Sequence, residues 1–247
     1  MSLELMLKTQ EGLDNRIIAE KGIVWTEEER FCNTLVALDV ELSEFANEGR
    51  WFKVWSDQQT PKVEQEYCDY CGENTDYTRP SPFMGSQGSM CKHCWNMTKE
   101  EYAAANGEHI PEFENYPNFK KKTPIALLEE YVDGVHFFLS IANQKGWGEL
   151  LYFSEEAIED LREEGFDGGL NGAYLELKRW LGVLGVEKDE ENYIKVLGLS
   201  KHQFSFKNAW FILIAIGMVE YNFTFEQIAE AYFAKNKINH ERQTHGY

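Results

Sequence analysis

The sequence predicts an all-α protein that carries one small, irregular insertion. Apolar residues recur at helical spacing along most of the 247 residues, and the alternating β-branched runs that predict strands are nearly absent. Helix start signals point the same way, such as Thr123-Pro124 and the capping box that begins at Thr224. Five of the six prolines lie between residues 58 and 122, which sets this segment apart from the helical remainder.

The predicted helices come before and after the proline-rich segment. Helical periodicity and cap signals place them at 3–20, 27–56, 124–144, 154–164, 172–184, 189–197, 205–220 and 225–240. We therefore predict that residues 1–57 and 123–247 form one helical domain. Residues 58–122 then form an insertion between two of its helices.

The charge and the apolar runs limit the classes of function. A net charge of −18 repels phosphate backbones, which argues against a broad nucleic-acid or anionic-membrane footprint. A small polyanionic substrate stays compatible with this charge where metal ions and a few cations meet its phosphates. The longest apolar run, Ala209 to Val219, is about half of a membrane span and predicts a buried core helix. Because the N-terminus lacks the features of a signal peptide, we expect a cytoplasmic protein with reduced cysteines.

Three carboxylates, those of Glu41, Glu44 and Glu48, lie on one strip of the second predicted helix. Apolar residues border this strip on both sides, whereas a solvated charged face normally lies opposite the apolar face. Like charges at this spacing repel each other, and partial burial adds a desolvation cost. Cations offset both effects, so Glu41 and Glu44 are candidate Mg²⁺ ligands.

A second acidic strip lies in the helix predicted after the insertion. Glu130 and Asp133 share a face with Phe137, so carboxylates again lie among apolar residues. If the two helices pack face to face, they gather four carboxylates, enough for a cluster of two or more metal ions. The alternative is two ordinary solvated acidic faces, since such pairs are common on helix surfaces. His136 lies on a different face and is predicted to be a satisfied core or surface histidine.

The C-terminal segment carries candidate phosphate-binding side chains. Lys235, Asn239 and Arg242 lie at i, i+4 and i+7, and Tyr247 adds a hydroxyl. Such donors suit phosphate oxygens, with arginine offering two parallel hydrogen bonds. The alternative is a solvated helix end whose cations oppose the helix dipole. The chain has neither a P-loop nor a glycine-rich dinucleotide fingerprint, so metal ions and side chains must hold any nucleotide.

Two C-x2-C pairs, separated by 19 residues, lie in the insertion: Cys68, Cys71, Cys91 and Cys94. Four thiolates at this spacing predict a structural zinc site without an open position for catalysis. The alternatives are disulfides, free thiols, or a site in which His93 replaces one cysteine. The fifth cysteine, Cys32, is predicted to be an inert buried thiol.

Three segments together resemble a known family. "VELSEFANEGRWFKVWS", "LLEEYVDGVHFFLSIA" and "AYFAKNKINHERQTHGY" resemble the signature regions of the dimeric dUTPases, which belong to the all-α NTP pyrophosphohydrolase superfamily. The N-terminal "MLKTQEGLD" is similar to their first helix. The resemblance covers roughly 3–56, 124–144 and 205–247 in the family's order, whereas the cysteine insertion lies outside the usual pattern of the family.

The resemblance implies a homodimeric helical bundle that hydrolyses dUTP, and also dUDP, to dUMP with release of pyrophosphate or phosphate. This activity would keep uracil out of DNA and supply dUMP for thymidylate synthesis. By analogy, the carboxylates of both acidic strips bind Mg²⁺: Glu41, Glu44, Glu130 and Asp133. Glu41 is the first candidate for the general base that takes a proton from the attacking water, and Glu44 is the second. In-line attack then breaks a phosphoanhydride bond.

The resemblance also implies how the remaining parts of the nucleotide are held. The phosphates would contact Lys53 and the C-terminal donors: Lys235, Asn239, Arg242 and Tyr247. Gln10 and Trp55 would face the uracil, and Phe137 would pack on the deoxyribose. Asp14 stands where the family often has asparagine, which leaves its base contact open.

Two other functions fit the sequence. One is a pyrophosphohydrolase for another nucleotide, such as dCTP, because the base contacts decide the substrate. The other is a nucleotide-sensing binding protein whose zinc insertion docks a protein partner. The insertion itself carries more acidic than basic residues, which argues against a DNA-binding finger. A lid, a dimer contact and a docking module all fit it.

Overall fold

The computed structural model describes residues 2–82, 88–107, 109–115 and 123–245, without the side chain of His245. The chain divides into two compact units. Met1–Pro61 and Ile125–Tyr247 form the first, and Lys62–Pro124 form the second. We call them the helical unit and the cysteine unit. The sequence analysis placed the boundaries at 57/58 and 122/123.

Eight α-helices dominate the part of the chain that the structure describes, which confirms the predicted all-α class. They are α1 (Leu3–Lys21), α2 (Glu27–Gly49), α3 (Lys92–Asn106), α4 (Ile125–Lys145), α5 (Glu155–Glu164), α6 (Gly169–Val186), α7 (Lys201–Ala215) and α8 (Phe225–His245). All of them except α3 belong to the helical unit. A 3₁₀ turn at Gly148–Leu151 follows α4, and a π-helical turn at Ile216–Glu220 continues α7.

The core of the helical unit forms around α4, which packs against α1, α2 and α8. Leu38, Leu42 and Phe45 of α2 are fully buried at the α2–α4 contact. Gly134 of α4 also lies at this contact, where a Cβ would meet a methyl group of Leu42 at 3.4 Å. Helices α6 and α7 pack against each other beside this group.

The first and last helices are joined by hydrogen bonds at both ends of their contact. Arg16 of α1 donates to the carbonyl of His240 and to Oγ1 of Thr244, each at 3.0 Å. Near the start of α1, the Tyr232 hydroxyl donates to the Met6 carbonyl at 2.9 Å. The contact between α1 and α8 is therefore polar at both ends.

Helix α2 ends at Gly49, seven residues before the predicted end at residue 56. Arg50 adopts a left-handed conformation with φ of 62°, which reverses the chain. The Trp51 ring then folds back onto Gly49, where a Cβ would lie only 2.1 Å from it. The helical pattern continues past this point in the sequence, but the packing of Trp51 stops the helix.

The helix predicted at 189–197 is wrong, because these residues form turns with a single bridge between Ile194 and Leu199. Asp189 explains the difference. Its carboxylate accepts hydrogen bonds from the His202 backbone N–H at 2.8 Å and from the Ser200 hydroxyl at 2.9 Å. The segment therefore folds over the start of α7, which begins at Lys201 instead of the predicted residue 205.

Cys32 is also placed differently from the prediction, because its side chain is exposed on α2 instead of buried. The predicted burial of the apolar run in α7 is correct, and Trp210, Leu213 and Ile214 are buried. Among the described residues, no single helix is long and apolar enough to cross a membrane. The bent pair Lys201–Glu220 and Phe225–Thr244 meets that criterion only when its two helices are combined.

The cysteine unit contains two short antiparallel strand pairs and one helix. Strand β1 (Glu66–Tyr67) pairs with β2 (Asn74–Thr75), and β3 (Thr78–Pro80) pairs with β4 (Ser89–Cys91). Its small core consists of Met90, Trp95, Ile110 and Phe113. The sequence predicted an irregular segment here and missed α3, which begins directly after Cys91.

We predict opposite effects on stability for two Gly→Ala substitutions in the helical unit. A Cβ at Gly217 would lie 2.6 Å from the buried Tyr131 ring, so Gly217→Ala should lower the free energy of unfolding by about 2 kcal/mol. Gly182 in α6 has no atom within 4 Å of such a Cβ, so Gly182→Ala should raise it by about 0.5 to 1 kcal/mol. Urea denaturation measures both values. Equal effects would contradict the packing described for Tyr131.

Candidate active site

Three of the four predicted metal-binding carboxylates lie together between α2 and α4. One oxygen each of Glu41, Glu44 and Glu130 lies within 4.8 Å of the other two. Glu41 and Glu130 are half-buried, whereas Glu44 is exposed. The packing of α2 on α4 thus brings the two acidic strips face to face. Clustered carboxylate oxygens of this kind suit a hard divalent cation such as Mg²⁺.

The fourth carboxylate, Asp133, forms an ion pair. Its Oδ2 lies 2.5 Å from Nζ of Lys235 on α8, and both side chains are largely buried. Asp133 lies one turn after Glu130 and acts electrostatically on Glu41. Lys235, predicted to bind phosphate, thus contacts the edge of the carboxylate cluster.

Burial and mutual repulsion perturb the acid groups of this cluster. Burial, followed by the charges of Asp133, Glu44 and Glu130, raises the pKa of Glu41 to about 7, although Lys235 opposes the shift. Burial and the same kind of repulsion also raise the pKa of Glu130. The cluster therefore carries unbalanced negative charge, which a cation would neutralise. This electrostatic state and the oxygen ligands together fit a magnesium site.

Three of the other predicted phosphate-binding residues lie on α8 or after α2. Asn239 and Arg242 lie with Lys235 on α8, and Arg242 Nη1 donates to Asn239 Oδ1 at 3.3 Å. The charge of Arg242 also favours the ionised form of Asp133, which lowers that group's pKa against the larger effect of burial. Lys53 follows α2 and donates to the Asn47 carbonyl at 2.9 Å. Tyr247 lies outside the described residues.

A largely apolar pocket opens beside the carboxylate cluster, between α1, α2 and α4. Its lining residues are Asp14, Ile17, Ile18, Trp25, Arg30, Asn33, Thr34, Ala37, Phe137 and Ser140. Ala37 lies one turn before Glu41, and Phe137 lies one turn after Asp133. Asp14 and Phe137, two of the residues predicted to contact base and sugar, therefore line a pocket next to the predicted metal ligands.

Gln10 and Trp55, also predicted to face the base, do not line this pocket. Gln10 is only 4% exposed, and its side chain forms hydrogen bonds within the protein. Trp55 is 75% exposed and lies against Phe52, with 5.9 Å between the ring centres. The sequence analysis did not name the other lining residues, among them Trp25 and Arg30. No motif in the sequence marks Trp25 or Arg30. They lie before and after Thr26, the N-cap of α2.

Asp14 is the one acidic residue among the described residues that line the pocket, and it accepts several hydrogen bonds. Its Oδ1 accepts from Gln10 Nε2 at 2.7 Å, and its Oδ2 accepts from the Ser140 hydroxyl at 2.6 Å. Arg30 Nη2 lies 3.4 Å from the same Oδ2. Burial raises the pKa of Asp14, whereas the hydrogen bonds and Arg30 act in the opposite direction. The three donors thus favour the carboxylate form in a poorly solvated position.

His136 is buried behind Gln10. Its ring stacks on Tyr232 with 4.2 Å between the centres, and Nδ1 lies 2.6 Å from Gln10 Oε1. Because that oxygen can only accept, Nδ1 must carry the hydrogen. Burial, followed by the charge of Lys235, lowers the pKa of His136 to about 3. It is a core histidine, as the sequence analysis considered, but it is satisfied only at Nδ1, because its buried Nε2 has no hydrogen-bond partner among the described residues.

The four paired cysteines gather within the cysteine unit: Cys68, Cys71, Cys91 and Cys94. Sγ of Cys68 lies 3.8 Å from that of Cys94, and Sγ of Cys71 lies 3.9 Å from that of Cys91. Sulfurs that bind one tetrahedral zinc ion at about 2.3 Å lie about 3.8 Å apart. The Cys91 backbone N–H also donates to Cys68 Sγ at 3.2 Å. The cluster can hold a metal such as zinc, and it does not include the exposed His93.

One of three comparisons with known proteins found a match. A family model described as dUTPase matches residues 2–71 and 106–247. The unmatched internal segment, 72–105, contains the second cysteine pair and most of α3. No curated protein and no solved structure matches the chain.

We predict that His136 makes the stability of the protein depend on pH. An unfolded histidine takes up a proton near pH 6.5, whereas the buried ring does so only near pH 3, so stability falls as the pH drops below 6.5. This effect amounts to about 2 kcal/mol between pH 7 and pH 5. His136→Asn keeps a side-chain N–H donor for Gln10 and removes the titration. Urea unfolding across this pH range should therefore give a steeper curve for the wild type, and parallel curves would contradict the assignment.

Proposed function

The chain belongs to the all-α dimeric dUTPase family and hydrolyses dUTP to dUMP, and we propose that Mg²⁺ held by its clustered carboxylates supports this reaction. The observation that carries the proposal is the approach of Glu41, Glu44 and Glu130 to within 4.8 Å of one another. These carboxylates would hold the Mg²⁺, which would supply positive charge against the phosphates and lower the pKa of the attacking water. Two or more ions fit a set of four carboxylates.

Asp133 is proposed to complete the metal site after an exchange of partners. In the structure its carboxylate is paired with Lys235. A triphosphate that approaches α8 offers Lys235 a second set of anionic oxygens. We propose that Lys235 turns to these oxygens and frees Asp133 as a ligand. The Lys235 ammonium group would thus pair with Asp133 before the substrate binds and with the phosphates afterwards.

The phosphates are proposed to lie along the face of α8 that carries Lys235. Asn239 and Arg242 follow Lys235 on this helix at one-turn spacing and supply neutral and charged donors. Lys53 and Tyr247 complete the proposed set on the strength of the family resemblance. In-line attack at a phosphorus held in this way releases pyrophosphate from dUTP, and we extend the proposal to release of phosphate from dUDP.

Glu41 is the proposed general base. Its pKa of about 7 places the group where it can accept a proton at neutral pH, and it lies centrally in the cluster. Glu44 is the second candidate, since it lies within the same 4.8 Å group and is more exposed to water. Either carboxylate would take the proton from the attacking water while the others orient the phosphate chain.

The apolar pocket beside the cluster is the proposed site for the nucleoside. Phe137 would pack against the deoxyribose, where a 2′-hydroxyl would lack a partner. The pocket adjoins the carboxylates through Ala37 and Phe137, so a base in the pocket and phosphates at the metal site belong to one ligand. This continuity favours a hydrolase over a nucleotide-sensing protein.

The remaining proposals concern assembly and context. We propose that the helical unit is the catalytic domain and that it forms a homodimer, as is usual in its family. A cytoplasmic location fits the proposed use of reduced thiols as zinc ligands. In that compartment the activity would keep uracil out of DNA and supply dUMP for thymidylate synthesis.

The four-cysteine cluster is proposed to hold one structural zinc ion. Two sulfur–sulfur distances, 3.8 and 3.9 Å, match a tetrahedral thiolate site. Among the described residues of the cysteine unit, the core has only four buried hydrophobic side chains outside the cluster. A core of this size needs a metal for stability, so zinc would be part of the fold of this unit. The unit could also serve as a docking module for a protein partner.

Loss of one clustered carboxylate should abolish turnover without unfolding the protein. We expect Glu44→Gln and Asp133→Asn to lower kcat for dUTP by about 10³ or more, because each removes a ligand of the metal site. Glu28→Gln, which changes an exposed carboxylate on the same helix α2, is the control and should keep wild-type activity. The assay follows dUMP release with and without Mg²⁺. Near-complete activity in Glu44→Gln would show that the metal site lies elsewhere.

Zinc content should depend on the paired cysteines alone. We expect about one zinc ion per chain in the wild type and in Cys32→Ser, and much less in Cys71→Ser. Elemental analysis of the purified proteins measures this. Cys71→Ser should also become more sensitive to proteolysis within residues 62–124. Unchanged zinc in Cys71→Ser would refute the four-thiolate site.

A further inference from the structure

We propose that the four-cysteine cluster is also an oxidation site, at which a peroxide forms two disulfides, Cys71–Cys91 and Cys68–Cys94, and thereby releases the zinc. The inference rests on the zinc site put forward under the proposed function and adds a reversible reaction of its ligands. The disulfides form between the two C-x2-C pairs and not within them. The cysteine unit therefore keeps covalent links between the two places that the metal joins.

The sulfur atoms lie close enough to react with one another. All four lie within 4.8 Å of each other. Sγ of Cys68 lies 3.8 Å from that of Cys94, and Sγ of Cys71 lies 3.9 Å from that of Cys91. Because a disulfide bond is about 2 Å long, each sulfur in such a contact needs to move by only about 1 Å. Each contact joins one cysteine of the first pair to one of the second.

The two members of each contact differ in exposure. Cys71 is exposed and Cys94 is partly exposed, whereas Cys68 and Cys91 are only 0% and 6% exposed. A sulfur that solvent reaches thus lies against one that solvent does not reach. The accessible thiolate reacts with peroxide, and the protected neighbour then attacks the oxidised sulfur. This asymmetry assigns Cys71 and Cys94 as the attacking residues and the buried pair as the resolving residues.

Backbone amides fix the positions of the two buried sulfurs. The Cys91 N–H donates to Cys68 Sγ at 3.2 Å, and the Cys94 N–H donates to Cys91 Sγ at 3.4 Å. Cys91 is also the last residue of β4 and the N-cap of α3, and its partner in β3 is Thr78. The resolving sulfurs are therefore held by regular secondary structure, next to the sulfurs that they attack.

The reaction balances with peroxide as the oxidant. The Cys71 thiolate attacks one peroxide oxygen, the O–O bond breaks and hydroxide leaves, so Cys71 becomes a sulfenic acid. The Cys91 thiolate then attacks the Cys71 sulfur, the S–O bond breaks and a second hydroxide leaves. Two thiolates, one peroxide and two protons thus give one disulfide and two waters. Cys94 and Cys68 react with a second peroxide in the same way.

Zinc release follows from the loss of ligands. After the first disulfide only the thiolates of Cys68 and Cys94 remain, which is half of the set that a structural zinc site needs. A thiol reductant reverses both disulfides and restores the four ligands. The cluster therefore exchanges a metal link for covalent links, and the exchange is reversible.

The pairing decides whether the cysteine unit stays folded after oxidation. Cys68 and Cys71 lie in the turn between β1 and β2, whereas Cys91 and Cys94 lie at the start of α3. Zinc joins these two places, and disulfides between the pairs join them again. Disulfides within the pairs would leave them unconnected around a core of four buried hydrophobic side chains. We therefore expect the oxidised unit to keep its fold without metal.

The first measurement is zinc release from the full chain. Hydrogen peroxide is added to the zinc-loaded Cys32→Ser protein, which lacks the fifth thiol, on α2. A chromogenic chelator should detect about one zinc ion per chain as the four thiols disappear. Dithiothreitol with added zinc should restore both values. Retention of zinc and thiols at peroxide concentrations that oxidise free glutathione would overturn the oxidation site.

The second measurement identifies the disulfides. Cleavage before aspartate and after lysine places the four cysteines on separate peptides, which mass spectrometry without reduction can assign. We expect the peptides of Cys71 and Cys91 to be joined, and likewise those of Cys68 and Cys94. The oxidised protein should also resist proteolysis within residues 62–124 at least about tenfold better than Cys71→Ser. Disulfides within the C-x2-C pairs, or equal proteolysis, would overturn the pairing.

Failure of this proposal differs from failure of the zinc site. Purified protein that contains zinc and keeps it in peroxide would overturn the oxidation site and leave the zinc site in place. Purified protein without zinc, in which peroxide still joins Cys71 to Cys91, would overturn the zinc site and leave the pairing in place. Neither result depends on dUTP turnover.

Discussion

The contact between α2 and α4 is the constraint on which the helical unit depends. Leu38 and Leu42 are fully buried in it and lie against Gly134 of α4. The same contact brings Glu41 and Glu130 together, and burial, followed by the charges of Asp133, Glu44 and Glu130, raises the pKa of Glu41 to about 7. Burial of apolar area elsewhere along the two helices offsets this repulsion. The fold thus stabilises an arrangement of charge that an isolated helix pair would relax, and a bound cation, as we propose, would neutralise it.

Helical periodicity predicts those parts of the fold in which one helix face is buried. It placed most ends of α1, α2, α4 and α8 within a residue of those in the structure. It also identified the helix faces that carry the acidic strips. It failed at 189–197, where Asp189 caps α7, and at the end of α2, where Trp51 folds back on Gly49. Both failures come from contacts between residues that the local pattern does not relate.

In the candidate site, too, helix periodicity predicts some residues, and only tertiary packing brings the others together. Carboxylates at i, i+3 spacing are visible in the sequence because helix geometry alone places them on one face. The pocket is not visible, because Arg30 and Trp25 reach it from the start of α2 while Asp14 comes from α1. The ion pair between Asp133 and Lys235 joins residues about a hundred positions apart, and only the packing of α8 against α4 brings them together.

The hydrogen bonds between α1 and α8 have a consequence for the length of the ligand. Arg16 fastens α1, which carries Asp14, to the end of α8, which carries the proposed phosphate donors. The two helices therefore hold the pocket lined by Asp14 and the proposed phosphate donors of α8 at a fixed separation. Under the proposed function, a free nucleoside would contact only the pocket, and inorganic pyrophosphate only α8. Only a ligand that carries both groups at this separation would fill the whole site, so the fold would select its substrate by length as well as by its two ends.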